Sequence, residues 1–366
     1  MKRRILFILH LPPPVHGAAM VGKYIQDSKI INNTFDCRYV NLSIAASLED
    51  IEQVGIKKLF NFIKLLLTIR KEVKAFRPDL VYVTPNTKDA PFYKDCTVVE
   101  WLKLLGCHVV AHFHNKGVSL RQHRWLDDKL YTLFFKNMKV ILLAEALYAD
   151  MAKYVDRKDV FICPNGIPDI FGQTAIKKQK KDTAHILFLS NLIESKGVLV
   201  LLEALQILKI RGLSFICDVV GGETAEIDAK RFVAEVSRRD LTDLVIYHGS
   251  KYGEEKNVFF QIADVFAFPT FYDKECFPLV LLEAMQQGVP CISTNEGGIS
   301  AIIEDGVTGF IIPKHQASPL ADSFERLIAD EMLRKKMGAA GRMRFEREFT
   351  LATFEKRLID IFQKIV

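Results

Sequence analysis

The chain lacks any apolar run approaching the roughly 18 residues of a bilayer-spanning helix. Its seven cysteines are scattered, odd in number and never spaced as Cys-x-x-Cys. That pattern argues against a disulfide framework and fits a reduced cytosol. There is no Gly-x-Gly-x-x-Gly, so a dinucleotide fingerprint is missing. No nucleic-acid recognition motif or aromatic RNA-binding signature occurs either, which leaves nucleic acid unsupported as a partner. A signal peptide is imitated but not completed. Lys2, Arg3 and Arg4 precede Ile5–Leu9, yet the run is short, His10 interrupts it and Pro12, Pro13 and Pro14 follow. A first buried strand accounts better for this segment.

What is present is a 366-residue chain, 49% hydrophobic and 26% charged, of ordinary globular composition. Its length favours two domains. In residues 1–170, 25 Lys+Arg face 17 Asp+Glu, or +8; residues 171–366 carry 25 and 27, or −2, and the two sum to the net +6. The basic excess therefore belongs to the first half alone. Short apolar runs alternate with helical patterns throughout. Strands are expected at 5–10, 38–42, 80–84, 109–114, 140–144 and 160–164, then at 185–190, 215–221, 244–248, 265–269, 290–294 and 309–313. Strands separated by helices of ten or more residues imply right-handed βαβ units and two parallel sheets, an α/β protein. The expected organisation is a first domain at 1–171, a polar lysine-rich linker at 172–182, a second domain at 183–348 and an amphipathic helix at 349–366. Phe354, Leu358, Ile361 and Phe362 form one side of that helix, which would pack on a domain, the first being a candidate.

Within this frame the most informative stretch runs from Glu275 through Cys276, Phe277, Pro278, Leu279 and Val280 to Glu283. Spacing alone means little, because Glu296 and Glu304 repeat it among 21 glutamates. The setting is what counts. A buried strand ends near Pro269, Glu275 follows in a loop, and a helix opening near Pro278 carries Glu283 about two turns in. Ligands of open α/β sheets gather at the carboxyl ends of strands. At about 100° per residue the two carboxylates do not share a helical face, so separate roles follow. A surface structural role suits Glu296 and Glu304 better.

Other strand-end loops carry compatible groups. His16 and Gly17 follow the first strand, where small residues let backbone N–H groups approach an anion; a tight strand-to-helix turn is the plainer reading. Lys196, after Asn191 in the matching loop of the second half, offers a cation to a phosphate, or is simply an exposed first-turn lysine. Gly297 and Gly298 form a further loop able to bring backbone close to a ligand. His112 and His114 alternate onto one side of their strand. A metal-hydrolase reading of His-x-His finds no third ligand cluster, and either histidine is equally well a structural one.

Taken in order, these elements resemble the family-4 retaining glycosyltransferases of the GT-B fold. The proline-glycine opening, the Asn165-Gly166-Ile167 turn, Lys196-Gly197, the Glu275/Glu283 segment and Gly297-Gly298 span almost the whole chain, and the second half is the closer match. The resemblance implies two Rossmann-like domains facing a cleft, with the acceptor on the first and a nucleotide sugar on the second. It implies that Glu283 accepts hydrogen bonds from the donor ribose. Glu275 lies beside the sugar, and N–H groups near Phe277, Leu279 and Val280 face the diphosphate. Lys196 is the diphosphate lysine, and Gly17 with His16 lets the first domain approach it. His114 matches the acceptor-side histidine, with His112 as its rival. Ser250 and Lys251 fall where relatives contact the base. Three departures stand out: Asn191 replaces an arginine, His16 replaces the first of two glycines, and Cys276 replaces a glycine. Lys274 or Lys251 is a candidate replacement for the missing charge.

The implied reaction moves a hexosyl or N-acetylhexosaminyl group from a UDP- or GDP-linked donor to a hydroxyl, with retention, in capsule, O-antigen or other surface-polysaccharide assembly. No Asp-x-Asp is present, so no metal and no cofactor are expected. Residues 55–77 carry Lys57, Lys58, Lys64, Arg70, Lys71, Lys74 and Arg77 against Glu72, with Leu59, Phe60, Ile63, Leu66 and Leu67 as an apolar stripe. Either this is a sheet-covering helix with a basic outer face, or it lies in an anionic membrane interface. Residues 125–139, with Trp125, Leu130, Phe134, Phe135 and Lys136, form a second aromatic-basic segment. Together they suggest a cytoplasmic enzyme at the inner face of the plasma membrane and a glycan or polyprenyl-linked acceptor. The rivals are another sugar-nucleotide enzyme of this architecture, such as an epimerase, and a non-catalytic sugar-nucleotide or glycan-binding protein.

Overall fold

A computed structural model describes residues 2–13, 17–42, 56–171 and 183–366. His16 and the 172–182 linker lie outside the described residues. The chain divides into two compact units, Met1–Gly166 with Leu351–Val366, and Ile167–Thr350.

The first unit holds a six-stranded sheet of β1 (Arg4–Leu9), β2 (Asp36–Asn41), β3 (Leu80–Val83), β4 (Val109–Phe113), β5 (Lys139–Leu142) and β6 (Val160–Ile162). Their order is β2-β1-β3-β4-β5-β6, and every pair is parallel. The second repeats the plan with β7 (Ala184–Leu189), β8 (Phe215–Val220), β9 (Val245–Tyr247), β10 (Val265–Phe268), β11 (Cys291–Thr294) and β12 (Gly309–Ile312). Their order is β12-β11-β10-β7-β8-β9, again parallel throughout. All twelve expected strands are present, with ends shifted by a residue or two. The central strands are apolar without alternation because helices cover both faces: Ile5–Leu9 are fully buried, as is every residue of β10.

Strand order fixes where ligands are favoured. In each sheet the chain runs outward from its first strand on one side, then returns to the other side. The reversal falls between β1 and β3 in the first unit and between β7 and β10 in the second, and crevices open at such points. The core of the second unit joins Phe188 and Val219, neighbours on one face of its sheet, to Leu201, Leu205 and Phe324 of the helices that cover it.

The terminal helix Leu351–Ile365 belongs to the first unit, and Phe354, Leu358, Ile361 and Phe362 are all buried. Phe362 meets Tyr82, Phe7 and Phe35 edge-on at 5.4, 5.8 and 5.9 Å between ring centroids. Helix Ile56–Phe76 buries Leu65, Ile69, Val73 and Phe76, a spacing of four, four and three that makes one helical face. The stripe singled out from the sequence turns the other way: Leu59, Phe60, Ile63 and Leu67 are 46–66% exposed. Helix Trp125–Phe135 divides similarly. Phe134 and Phe135 are core residues, a correction to their reading as surface aromatics, whereas Trp125 is 75% exposed.

Candidate functional site

The loops after β7 and β10 flank the reversal point of the second sheet and are tied together. Phe271 N donates to Ser195 O at 2.8 Å, and Thr270 Oγ1 donates to the same carbonyl at 3.3 Å. Gly197 has φ +87°, and a Cβ there would lie 2.2 Å from the carbonyl oxygen of Pro269. Only glycine admits both the left-handed backbone and this approach. The result places Lys196, at the end of a short 3-10 turn (Glu194–Lys196), against Glu275. Its Nζ is 2.5 Å from Glu275 Oε2 and lies over the Tyr272 ring at 4.2 Å. With side chains 16% and 11% exposed, Lys196 is not the exposed first-turn lysine of the plainer reading.

Helix Leu279–Gln286 begins directly after Pro278. Leu279 and Val280 are its first residues, so their N–H groups have no carbonyl one turn back and stand at the positive end of the helix. Glu283 is just over one turn in, rather than two. Its Oε1 accepts from Lys256 Nζ at 2.6 Å, while Oε2 is buried and has no hydrogen-bond partner among the described residues. The structure thus gives each carboxylate its own lysine. Lys256 was missed in the sequence because its partner is 27 residues away and no motif marks it.

Neighbouring loops complete the edge. Asn191 Oδ1 accepts from Gly222 N at 3.2 Å, and Ser250 Oγ lies beside Gly222, so the loops after β7, β8 and β9 meet there. Lys251 pairs with Glu255 at 3.8 Å, and Lys274 is exposed. Phe277 turns inward instead, 5% exposed and edge-on to Phe349 at 5.9 Å. Gly297, at φ +57°, packs against backbone of this unit: a Cβ would sit 2.2 Å from Glu275 O, and Gly298 N donates to Cys276 O at 2.7 Å. That loop braces the Glu275 segment. The second Glu pair splits. Glu304 is exposed beside Arg344, but Glu296 is 4% exposed and held by Lys314 at 2.5 Å, which corrects its reading as a surface residue.

Residues 169–344 match the family described as glycosyl transferases group 1. That stretch, just under half of the chain, belongs to this family. The chain is 28% identical over 270 residues to the amylovoran biosynthesis glycosyltransferase AmsK of Erwinia amylovora, covering 72% of this chain and 66% of that one. It is 29% identical over 266 residues to the colanic acid biosynthesis glycosyltransferase WcaL of Escherichia coli, covering 70% and 64%. The matched stretch thus spans slightly less than two thirds of these relatives. Among solved structures, Anabaena Alr3699/HepE in complex with UDP-glucose superposes with a TM-score of 0.73 over 99% of both chains at 16% identity. The fold is GT-B.

The first unit presents a different edge. His114 stands just past β4, its ring centroid 4.3 Å from that of His112. The two are not equivalent. His112 is fully buried, with Nδ1 2.7 Å from Tyr82 Oη. Burial foremost, and His114 beside it, push the His112 imidazole well below its ordinary value. His112 is therefore an interior group and His114 the one at the strand end. Around His114 lies a network that sequence reading missed. Asp95, 1% exposed, accepts from both Asn86 N and Asn86 Nδ2 at 2.8 Å. Asn86 also reaches His10 at 3.4 Å and Asn115 at 3.3 Å, so one amide joins the ends of β1, β3 and β4. Gly17 opens helix Gly17–Asp27, and a Cβ there would meet nothing within 4 Å. Among the described residues, no three His, Cys, Asp or Glu side chains converge as metal ligands.

Proposed function

We propose that this chain is a retaining glycosyltransferase that moves a sugar from a UDP- or GDP-linked donor to a hydroxyl of a glycan or polyprenyl-linked acceptor in surface-polysaccharide assembly. The observation that carries this reading is the pairing at the β7/β10 reversal. Lys196 pairs with Glu275, which shortly precedes helix Leu279–Gln286, and Glu283 holds a buried oxygen with no hydrogen-bond partner among the described residues. Diphosphate departure needs positive charge as the C1–O bond breaks; Lys196 and the N–H groups of Leu279 and Val280 would supply it. Glu283 would bind the ribose hydroxyls and Glu275 would lie beside the sugar, with Asn191, Ser250 and Lys251 toward the base. Gly17 and His114 would act from the acceptor side. The names of AmsK and WcaL support the polysaccharide setting, and the UDP-glucose complex supports the donor class.

The exposed stripe Leu59, Phe60, Ile63 and Leu67, flanked by exposed Lys64, Arg70, Lys71 and Lys74, supports peripheral contact with an anionic membrane at the cytoplasmic face. No helix among the described residues is long and apolar enough to cross a membrane.

The decisive experiment offers UDP- and GDP-sugars with extracted lipid-linked glycans and measures nucleotide diphosphate release. Release that requires acceptor, and falls about 100-fold or more in Lys196→Ala, is expected. Release without acceptor would favour an epimerase-type reaction. Binding without turnover across acceptors would favour a non-catalytic binding protein.

A further inference from the structure

Lys256 is a charged group at the donor edge that no motif accounts for. It lies on helix Gly253–Ile262, directly after the loop carrying Ser250 and Lys251, and reaches across to helix Leu279–Gln286. A surface ion pair would explain little here, since exposed pairs contribute almost nothing. This pair is different in two respects. Both side chains are 21% exposed. The lysine also engages only Oε1 of Glu283, at 2.6 Å, and leaves Oε2 buried with no hydrogen-bond partner among the described residues. Buried polar atoms are nearly always satisfied in folded proteins, so such an oxygen points to a donor that arrives from outside the chain.

The chemistry of the two groups defines that donor. A carboxylate only accepts hydrogen bonds, and an ammonium only donates them. With Oε1 fixed by Lys256, Glu283 offers one oriented oxygen with two lone pairs, a match for the hydroxyls of a vicinal diol. An arginine in the same place would behave differently, because its planar fork engages both carboxylate oxygens at once.

We propose that Lys256 is a positioning residue that holds Glu283 with Oε2 presented to the donor, and so makes the site selective for ribonucleotide over 2′-deoxyribonucleotide diphosphates. This rests on Glu283 as the ribose anchor, and the test separates the two claims. Binding of UDP, GDP and their 2′-deoxy forms is measured calorimetrically on the full chain, alongside thermal unfolding, for the wild type, K256R, K256M and E283Q. K256R is expected to unfold at or above the wild-type temperature yet bind the ribonucleotide at least tenfold more weakly, since its fork covers Oε2. K256M, in which the carboxylate turns freely, is expected to lose most of the ribo-to-deoxy preference. A purely structural ion pair predicts the same stability for K256R but unchanged binding. If E283Q weakens binding while K256R and K256M bind as the wild type does, the role of Lys256 is overturned and the ribose anchor stands. If E283Q also binds normally, or the wild type binds neither nucleotide, the anchor itself falls and the proposal with it.

Discussion

The two units share a sheet plan but furnish their strand ends with opposite chemistry. In the second, lysine-carboxylate pairs dominate: Lys196 with Glu275, Lys256 with Glu283 and Lys314 with Glu296. In the first, Asn86 binds the buried carboxylate of Asp95 and reaches His10 and Asn115, while His114 lies against His112. Yet the first half has the larger basic excess by sequence, +8 against −2. Much of that charge lies away from the strand ends, on exposed positions such as Lys64, Arg70, Lys71 and Lys74. Net charge of a domain therefore says little about its site. The second unit, slightly acidic overall, concentrates its cations where a diphosphate would sit, while the first presents hydroxyl-compatible groups and spends its lysines outward.

The comparison breaks most severely at Phe362. This ring from the terminal helix is wedged among Phe7, Phe35 and Tyr82, so Phe362→Ala leaves a cavity in the first unit and should cost about 3–5 kcal/mol. Thermal unfolding should show the loss, while UDP binding, assigned to the second unit, persists below the transition. UDP binding lost at temperatures where the chain is still folded would contradict that division. The matching lesion in the second unit is Gly197→Ala, which meets both a left-handed backbone and the Pro269 carbonyl. It should cost about 1–3 kcal/mol and displace Lys196. Stability near wild type with intact UDP affinity would mean the two loops are not stitched as described.

A smaller difference is expected in acid. His112 is held well below its ordinary value of 6.5 by burial, so the unfolded chain binds a proton before the folded one does. Its contribution is fully present above pH 6.5 and is lost as pH falls from there toward the folded value. Each pH unit in that window removes at most about 1.4 kcal/mol, and less near pH 6.5 where the unfolded imidazole is only half protonated. Replacing His112 by Gln should flatten the stability profile between pH 6.5 and 5.5; an unchanged slope there would refute the assignment.

How much of this could be read from the sequence differs between the units for physical reasons. The central strands announced themselves, because parallel strands buried on both faces are continuous apolar runs; edge strand β2, with Asp36, Arg38 and Asn41 exposed, is not such a run. The Glu275 segment was legible since a loop and a helix carry its residues in one short stretch. Helix Ile56–Phe76 was half legible. It is apolar on two faces, Leu65/Ile69/Val73 and Leu59/Ile63/Leu67, and periodicity cannot choose which one meets the sheet. Lys256, and the Asn86–Asp95 hub, were invisible because each gains its meaning only from a partner brought close by folding. Glu296 was misjudged for the same reason, its lysine lying on a later strand's exit.

The mildest change addresses the departure at Asn191, where the family pattern has arginine. The Asn191 side chain is exposed and its Oδ1 accepts from Gly222 N, a contact that a guanidinium, having no acceptor, cannot keep. Asn191→Arg therefore exchanges one neutral hydrogen bond for one charge at the rim of the proposed diphosphate site. Exposed charge interactions amount to about 0.2–1 kcal/mol, so UDP should bind a few-fold more tightly at low salt, with the gain fading as ionic strength rises. Titrating UDP against both forms at two salt concentrations checks this. A salt-independent gain would place the arginine in a buried contact instead. Weaker binding would mean that the Gly222 contact, which joins the loops after β7 and β8, matters more to the second unit's edge than an added charge does.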